Sequence, residues 1–244
     1  MAFLPFYIPS QKCLRIVIIG GGYSGVAALT ILSQHASNVD ITLVDPKTQH
    51  LKITHLHETF RYPLSDLLVP FTDLERRFGC RHICAAPTVD KENLAQWQKD
   101  QFISINDEEI AFDYLLIAVG CSDLAPKRID NVLTLSDFMS EAGSDILNKV
   151  IAENGDEELA LTVVGGGATG IQFLFEINAF LKRHKINRKL NLVDGGDHVL
   201  KQFPREFSRY VEMRMKELDI AFYPHTYFLE QQANEVLLED KNTK

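Results

Sequence analysis

Two clusters of glycines carry the clearest chemistry in this sequence. Gly20-Gly-Gly-Tyr-Ser-Gly25 and Gly165-Gly-Gly-Ala-Thr-Gly170 share the spacing Gly-x-Gly-x-x-Gly and lie 145 residues apart. In such a turn the first glycine permits a sharp reversal, the second lets a pyrophosphate approach the backbone, and the third lets a helix pack closely on a strand. Gly20, Gly22 and Gly25 take these places in the first cluster; Gly165, Gly167 and Gly170 take them in the second. An anion held there rests on unpaired N–H groups at the positive end of a helix dipole. An acid closing the next strand completes the pattern, because its carboxylate accepts hydrogen bonds from ribose hydroxyls. Asp45 follows Gly25 by 20 residues, and Asp194 follows Gly170 by 24. One such turn is a weak signal. Two, each with strand, helix and acid in order, specify two dinucleotide sites, and an acid at 194 repels a 2′-phosphate, so NADH is expected there rather than NADPH.

Two repeats of one element order have to hold these turns. Leu14-Arg-Ile-Val-Ile-Ile19 is a β-branched run of buried-strand length, Val26 to Ser33 has helical composition, and Val39-Asp-Ile-Thr-Leu-Val44 is a second strand closed by Asp45-Pro46. In the second copy Leu159-Ala-Leu-Thr-Val-Val164 is the strand, Ile171 to Lys182 the helix, and Lys189-Leu-Asn-Leu-Val193 the strand leading to Asp194. Between the copies, residues 82–121 hold short strand-like runs, among them Phe102-Ile-Ser-Ile105 and Ile110-Ala-Phe112, before the apolar Tyr114-Leu-Leu-Ile-Ala-Val119. They read as a small antiparallel meander returning to a last parallel strand. Cys121 to Asn131, with Pro126, reads as a linker, Ser136 to Glu153 as a helix capped by Ser136, and Pro204 to Leu218 as an amphipathic helix followed by edge-like strands. The expected fold is α/β with two Rossmann-like dinucleotide-binding domains, residues 1–123 and 124–244.

Composition narrows the class. The 244 residues are 45% apolar and 24% charged, enough for a packed core and unlike a disordered chain. A net charge of −8 repels a phosphate backbone, which sets nucleic acid aside as a partner. Cys13, Cys80, Cys84 and Cys121 form no dense disulfide framework and fit a reducing compartment. No apolar stretch approaches the roughly 18 residues that span a bilayer, and the short start carries two prolines and no basic residue before its apolar run. A cytoplasmic protein is expected, with peripheral membrane contact left open.

The order of the Gly-Gly-Gly-Tyr-Ser-Gly turn, Asp45-Pro, Phe112-Asp-Tyr-Leu-Leu-Ile-Ala-Val-Gly120 and Val163-Val-Gly-Gly-Gly-Ala-Thr-Gly-Ile-Gln172 resembles the pyridine nucleotide-disulfide oxidoreductase superfamily. Within it, the sequence is most similar to the type II NADH dehydrogenases, which are NADH:quinone oxidoreductases. The resemblance covers nearly the whole chain. It implies that the first motif binds FAD, that the second domain is inserted in the first and binds NADH, and that the segment before the linker closes over the flavin. Residue by residue it implies that Gly20, Gly22, Ser24, Gly25 and Asp45 hold the ADP half of FAD, that the backbone of Val89 meets the adenine, and that Ala118, Val119 and Gly120 lie beside the flavin. Gly165, Gly167, Thr169, Gly170 and Asp194 are then the NADH residues, and Glu176 the acid lying towards the nicotinamide and the one candidate catalytic side chain. The sequence departs from the pattern at Val119, where threonine is usual, at Gln172, where many relatives have glutamate, and over Thr48 to Leu64 after His50-Leu51. It also lacks the Gly-Asp segment with which such enzymes return to the FAD domain. The second domain is therefore expected to be incomplete and the return segment of the first missing.

Other clusters read more plainly. Cys80 and Cys84 are separated by three residues and stand far from the first glycine helix, unlike the paired cysteines of disulfide reductases, and read as incidental. Cys121 follows the flavin-side strand, where sulfide-oxidising relatives sometimes place a cysteine, but the further cysteines those relatives need are not found. His50, His55 and His57 with Glu58 offer metal-ligand types, yet no second cluster completes a zinc set, so a solvated loop and no metal are expected. Lys182-Arg-His-Lys185 reads as a basic helix end complementing the dipole. The function expected is FAD-dependent transfer of a hydride from NADH to flavin and of electrons to a small-molecule acceptor, a quinone being one candidate. The alternatives are a nucleotide-binding chain without turnover and a sulfide-oxidising flavoprotein. The oligomeric state stays open, a homodimer included.

Overall fold

The computed structural model describes residues 13–120, 131–155, 157–232 and 235–240. The linker expected over Cys121 to Asn131, and Cys121 itself, lie outside the described residues except for Asn131. The chain divides into two compact units, Met1–Lys52 with Leu68–Asp123, and Ile53–Leu67 with Leu124–Lys244.

The first unit runs β1 (Leu14–Ile19), α1 (Tyr23–His35), β2 (Val39–Asp45), β3 (Gln49–Leu51), β4 (Leu68–Pro70), α2 (Phe71–Phe78), β5 (Arg81–Cys84), α3 (Lys91–Asp100), β6 (Phe102–Ile105), β7 (Glu108–Ala111) and β8 (Tyr114–Ile117). Four of these strands form a parallel sheet in the order β5-β2-β1-β8. On central strand β1, Ile16 and Ile18 pack into one layer with Leu29 of α1 and Phe71 and Leu74 of α2. Val17 and Ile19 point into the other layer, with Trp97 of α3, Ile103 and Ile105 of β6, and Ile110 of β7. Cover on both faces is why Ile16 to Ile19 of β1 is an unbroken apolar run rather than an alternating one. Each fully buried Leu, Ile or Phe contributes about 1.5–3 kcal/mol.

Residues 82–121 are not a meander. Only β6 and β7 form an antiparallel hairpin; α3 precedes them, and β5 is an outer parallel strand. Helix α3 shows little apolar periodicity, with Trp97 its only buried residue, and is set by its ends. The Asp90 side chain accepts from the Asn93 amide at 2.8 Å, and Gln101 closes the helix in the left-handed region.

The second unit opens with short 3-10 turns at Ile53–Phe60 and Leu64–Leu67, then has α4 (Leu135–Phe138), α5 (Gly143–Asn154), β9 (Leu159–Val164), α6 (Ala168–Arg183), β10 (Arg188–Val193), α7 (Arg205–Glu217), β11 (Ile220–Tyr223), β12 (Thr226–Gln232) and β13 (Glu235–Asp240). Its parallel sheet has the order β11-β10-β9, and β12 with β13 makes an antiparallel hairpin. Strand β11 is an edge of this sheet, as expected, while β12 and β13 pair with each other apart from it.

The single helix expected over 136–153 is two. Thr134, not Ser136, caps α4, and the Asp137 carboxylate accepts from both the Thr134 amide and hydroxyl, a closed capping box that starts a helix. Helix α5 begins afresh at Gly143, whose N–H donates to the Thr59 hydroxyl at 2.9 Å. A methyl group on Gly143 would come within 2.8 Å of the Phe60 ring. Phe60 is 2% exposed and meets Phe138, Phe173 and Phe180 with ring centroids 5.9, 5.6 and 6.5 Å away. The stretch carrying Phe60 is thereby an integral part of the second unit.

Among the described residues, no helix is long and apolar enough to cross a membrane.

Candidate functional site

The two glycine turns have nearly one geometry. Gly20 and Gly165 both stand at φ +108, a conformation that L side chains rarely adopt. Helices α1 and α6 start directly after Gly22 and Gly167, whose φ values are −73 and −75. Neither helix start has a side-chain cap or an acid in its first turn, so the positive end of each dipole is left for an outside anion. A methyl group added at Gly22 or Gly167 would meet nothing within 4 Å, so the backbone there faces open space. At Gly25 and Gly170, by contrast, an added Cβ would collide with the carbonyl oxygen of Gly20 or Gly165. Each glycine thus fills a separate steric need: reversal, approach, and helix-to-strand contact.

The acids are tied into these turns. One Asp45 oxygen accepts from the Gly21 amide at 2.7 Å and the other from the Lys47 amide at 2.8 Å. Asp194 repeats this with the amides of Gly166 and Gly196, both at 2.6 Å. A carboxylate offers about four lone-pair positions, so each acid keeps acceptor capacity for a ribose hydroxyl. The middle glycine's carbonyl is held as well. Gly21 accepts from Nδ1 of His50 at 2.9 Å, and Gly166 from the Leu200 amide at 2.7 Å.

The remaining candidate residues fall around these turns to different degrees. Ser24 and Thr169 lie exposed in the first turns of α1 and α6. Ala118 follows β8, donates its amide to Ile19 at 2.7 Å, and abuts Gly20, whose absent Cβ would strike its carbonyl. Val119 and Gly120 continue from it, exposed. Val89 lies in the loop between β5 and α3, its side chain packed against the core layer around Trp97. Glu176 stands part-buried on α6 and pairs with Arg61 at 3.0 Å.

Several partners were not visible in the sequence. Arg61 lies 115 residues before Glu176, and no local spacing links them. His50 is not in a solvated loop: it is buried on β3, against Tyr23 in an edge-on ring contact at 5.0 Å. His55 Nδ1 is hydrogen-bonded to the Glu58 carboxylate at 3.0 Å within the 3-10 turn, and this bond holds the Glu58 carboxyl below its ordinary range. Among the described residues, no group of three His, Cys, Asp or Glu is arranged to hold a metal. Cys13, Cys80 and Cys84 are free thiols, with Cys84 donating to the Pro46 carbonyl at 3.2 Å. Arg183, read as a cation at a helix end, also donates to the Phe60 carbonyl at 3.1 Å.

The pyridine nucleotide-disulphide oxidoreductase family model matches residues 14–244. The chain belongs to this family. Among curated members, it is 24% identical over 235 residues to the type II NADH:quinone oxidoreductase of Staphylococcus haemolyticus, covering 87% of this chain and 57% of that protein. The Staphylococcus aureus protein of the same name is 23% identical with the same coverage. Among solved structures, NDH2 from Plasmodium falciparum in complex with NADH superposes with a TM-score of 0.72 at 20% identity, over 96% of this chain and 52% of that one. The sulfide:quinone oxidoreductase of Aquifex aeolicus gives 0.71 at 19% identity, over 95% and 55%. This family member thus has the Rossmann-like fold of these oxidoreductases and spans about half the length of the relatives it matches.

Proposed function

We propose that the chain is an FAD-dependent oxidoreductase in which the first turn holds the pyrophosphate of FAD and the second that of NADH, with the division expected at residue 123 refined so that 1–52 with 68–123 form the FAD-binding and 53–67 with 124–244 the NADH-binding domain. The observation that carries this reading is the duplicated turn: the same φ at the first glycine, the same open space at the second, and the same acid-to-amide bond at the middle one. Bound FAD would supply the chemistry of hydride transfer from NADH and of electron transfer to an acceptor; a quinone, the acceptor in the names of the curated relatives, is the first to test. The chain's own groups position these ligands. The uncapped amides of α1 and α6 bind the pyrophosphates, and Asp45 and Asp194 receive the ribose hydroxyls on their remaining lone pairs. Asp194 at the same time repels a 2′-phosphate, which favours NADH. Ala118, Val119 and Gly120 supply backbone on the flavin side of the first site. Glu176 lies on α6 about two turns beyond its start and, held by Arg61, would orient the nicotinamide.

The test is the visible absorption spectrum of the purified chain with and without added FAD, then with NADH under anaerobic conditions. A retained flavin spectrum that bleaches on NADH supports the assignment, and quinone-dependent reoxidation identifies the acceptor. Bound flavin that NADH does not bleach leaves a nucleotide-binding chain without turnover. Absence of flavin binding rejects the reading.

A further inference from the structure

We propose that His50 is a positioning residue that holds the first phosphate turn through the carbonyl of its middle glycine, and that binding at the first site, unlike the second, depends on this side chain. The inference rests on the reading that the first turn carries a dinucleotide pyrophosphate.

In both turns the middle glycine's peptide groups are gripped at both ends. The amide of Gly21 goes to Asp45 and that of Gly166 to Asp194, so one half of the grip is the same. The other half differs. At Gly166 the carbonyl accepts from the backbone amide of Leu200, which any residue but proline could supply. At Gly21 it accepts from an imidazole. The Phe71 ring packs on the Cα of Gly21, filling the space that a Cβ would need, and the ring of Tyr23 stands edge-on to His50. Gly21 and His50 are both buried, and a buried carbonyl deprived of its donor is left unsatisfied.

Chemistry fixes which way the bond runs. A carbonyl only accepts, so Nδ1 carries the hydrogen, and it does so in the cation and in one neutral tautomer. The imidazole is therefore the donor and the Gly21 carbonyl the acceptor. Its part is to draw the Gly21 carbonyl back from the ligand, leaving the backbone around Gly22 and the start of α1 free to face the anion. Position 50 lies on β3, a three-residue strand that among the described residues pairs only with β4, so the short β3–β4 ribbon places the imidazole under the turn.

The test compares His50→Asn, whose side-chain amide can place a donor near the position of Nδ1, with His50→Leu, of similar size and without a donor. FAD affinity is read from flavin fluorescence, NADH affinity from nicotinamide fluorescence, and folding from thermal denaturation of the ligand-free chain. The exchange rate of the Gly21 amide in the ligand-free chain gives a readout that needs no cofactor. His50→Leu is expected to weaken FAD binding about tenfold and speed Gly21 exchange, while His50→Asn recovers most of both and NADH affinity stays unchanged. Equal losses in both variants, or FAD affinity and Gly21 exchange unmoved in His50→Leu, overturn the proposal. If the unsubstituted chain binds no FAD, the reading of the site fails. The exchange arm then decides for the latch alone: faster exchange in His50→Leu than in His50→Asn upholds it, and equal rates overturn it.

Discussion

Gly20 and Gly22 stand two residues apart in one turn, yet replacing each with alanine should do opposite things. Gly20→Ala puts a Cβ into the Ala118 carbonyl at a strained φ of +108, so a loss of stability of about 1–3 kcal/mol or more is expected. Gly22→Ala meets no atom and sits at an ordinary φ, so thermal stability should change by no more than about 0.5 kcal/mol while FAD binding falls sharply. Paired melting and FAD titration of the two variants separates these effects. The thiols make a second contrast. Cys13 and Cys84 are exposed, whereas burial pushes the Cys80 thiol above its ordinary pKa. Iodoacetamide at neutral pH, followed by mass mapping, should therefore alkylate Cys13 and Cys84 well before Cys80. Residue types at fixed offsets made the glycines and acids legible in the sequence, because each does its work within one strand–turn–helix unit. His50 and Arg61 were not legible: their partners, Gly21 and Glu176, lie 29 and 115 residues away, and nothing local marks a long-range hydrogen bond.

Among the elements, the strands were plain because Ile16 to Ile19 of β1 are buried on both faces and form a continuous apolar run. Helices α2 and α3 were not, since each buries only one or two side chains and the pattern is too thin to show a period. The join between α4 and α5 was hidden for another reason. It is made by Thr59 and Phe60, which reach Gly143 from 84 and 83 residues away in the chain. Phe60→Ala should accordingly destabilise the protein by about 3–5 kcal/mol, measurable by denaturant titration. A milder, pH-dependent tie joins β5 to β7: Arg81 donates to Glu108 through two nitrogens at 2.7 and 2.6 Å. The hydrogen bond from Arg81 lowers the Glu108 pKa, so the stabilisation is complete above the ordinary glutamate value and is lost as the pH falls through the lowered folded value. The pair is solvent-exposed, and its effect is small and screened by salt. The melting-temperature difference between the wild type and Glu108→Gln should therefore shrink on acidification and at high salt.

At the scale of the molecule, the two units do not correspond to two stretches of chain. Ile53–Leu67 belongs with Leu124–Lys244, although it is flanked in sequence by the first unit. A fragment of residues 124–244 lacks Phe60, and the rings of Phe138, Phe173 and Phe180 lose their common neighbour. Such a fragment should melt at a lower temperature than the whole chain and bind a hydrophobic dye, and a synthetic 53–67 peptide should reverse both effects. Turn-rich composition marks a division near residue 123, whereas no composition signal marks the excursion at 53–67, since its apolar residues look like those of any short buried loop. The backbone consequently passes from one unit to the other at three places in this order, after Lys52, Leu67 and Asp123. That routing bears on heredity. A single recombination breakpoint between two such genes, falling anywhere between residues 67 and 124, would join residues 124–244 from one parent to the 53–67 stretch of the other. Exchange of a nucleotide-binding unit as a cassette would require two matched segments to move together, so Thr59, Phe60 and Arg61 are expected to change in step with Gly143, Phe173 and Glu176.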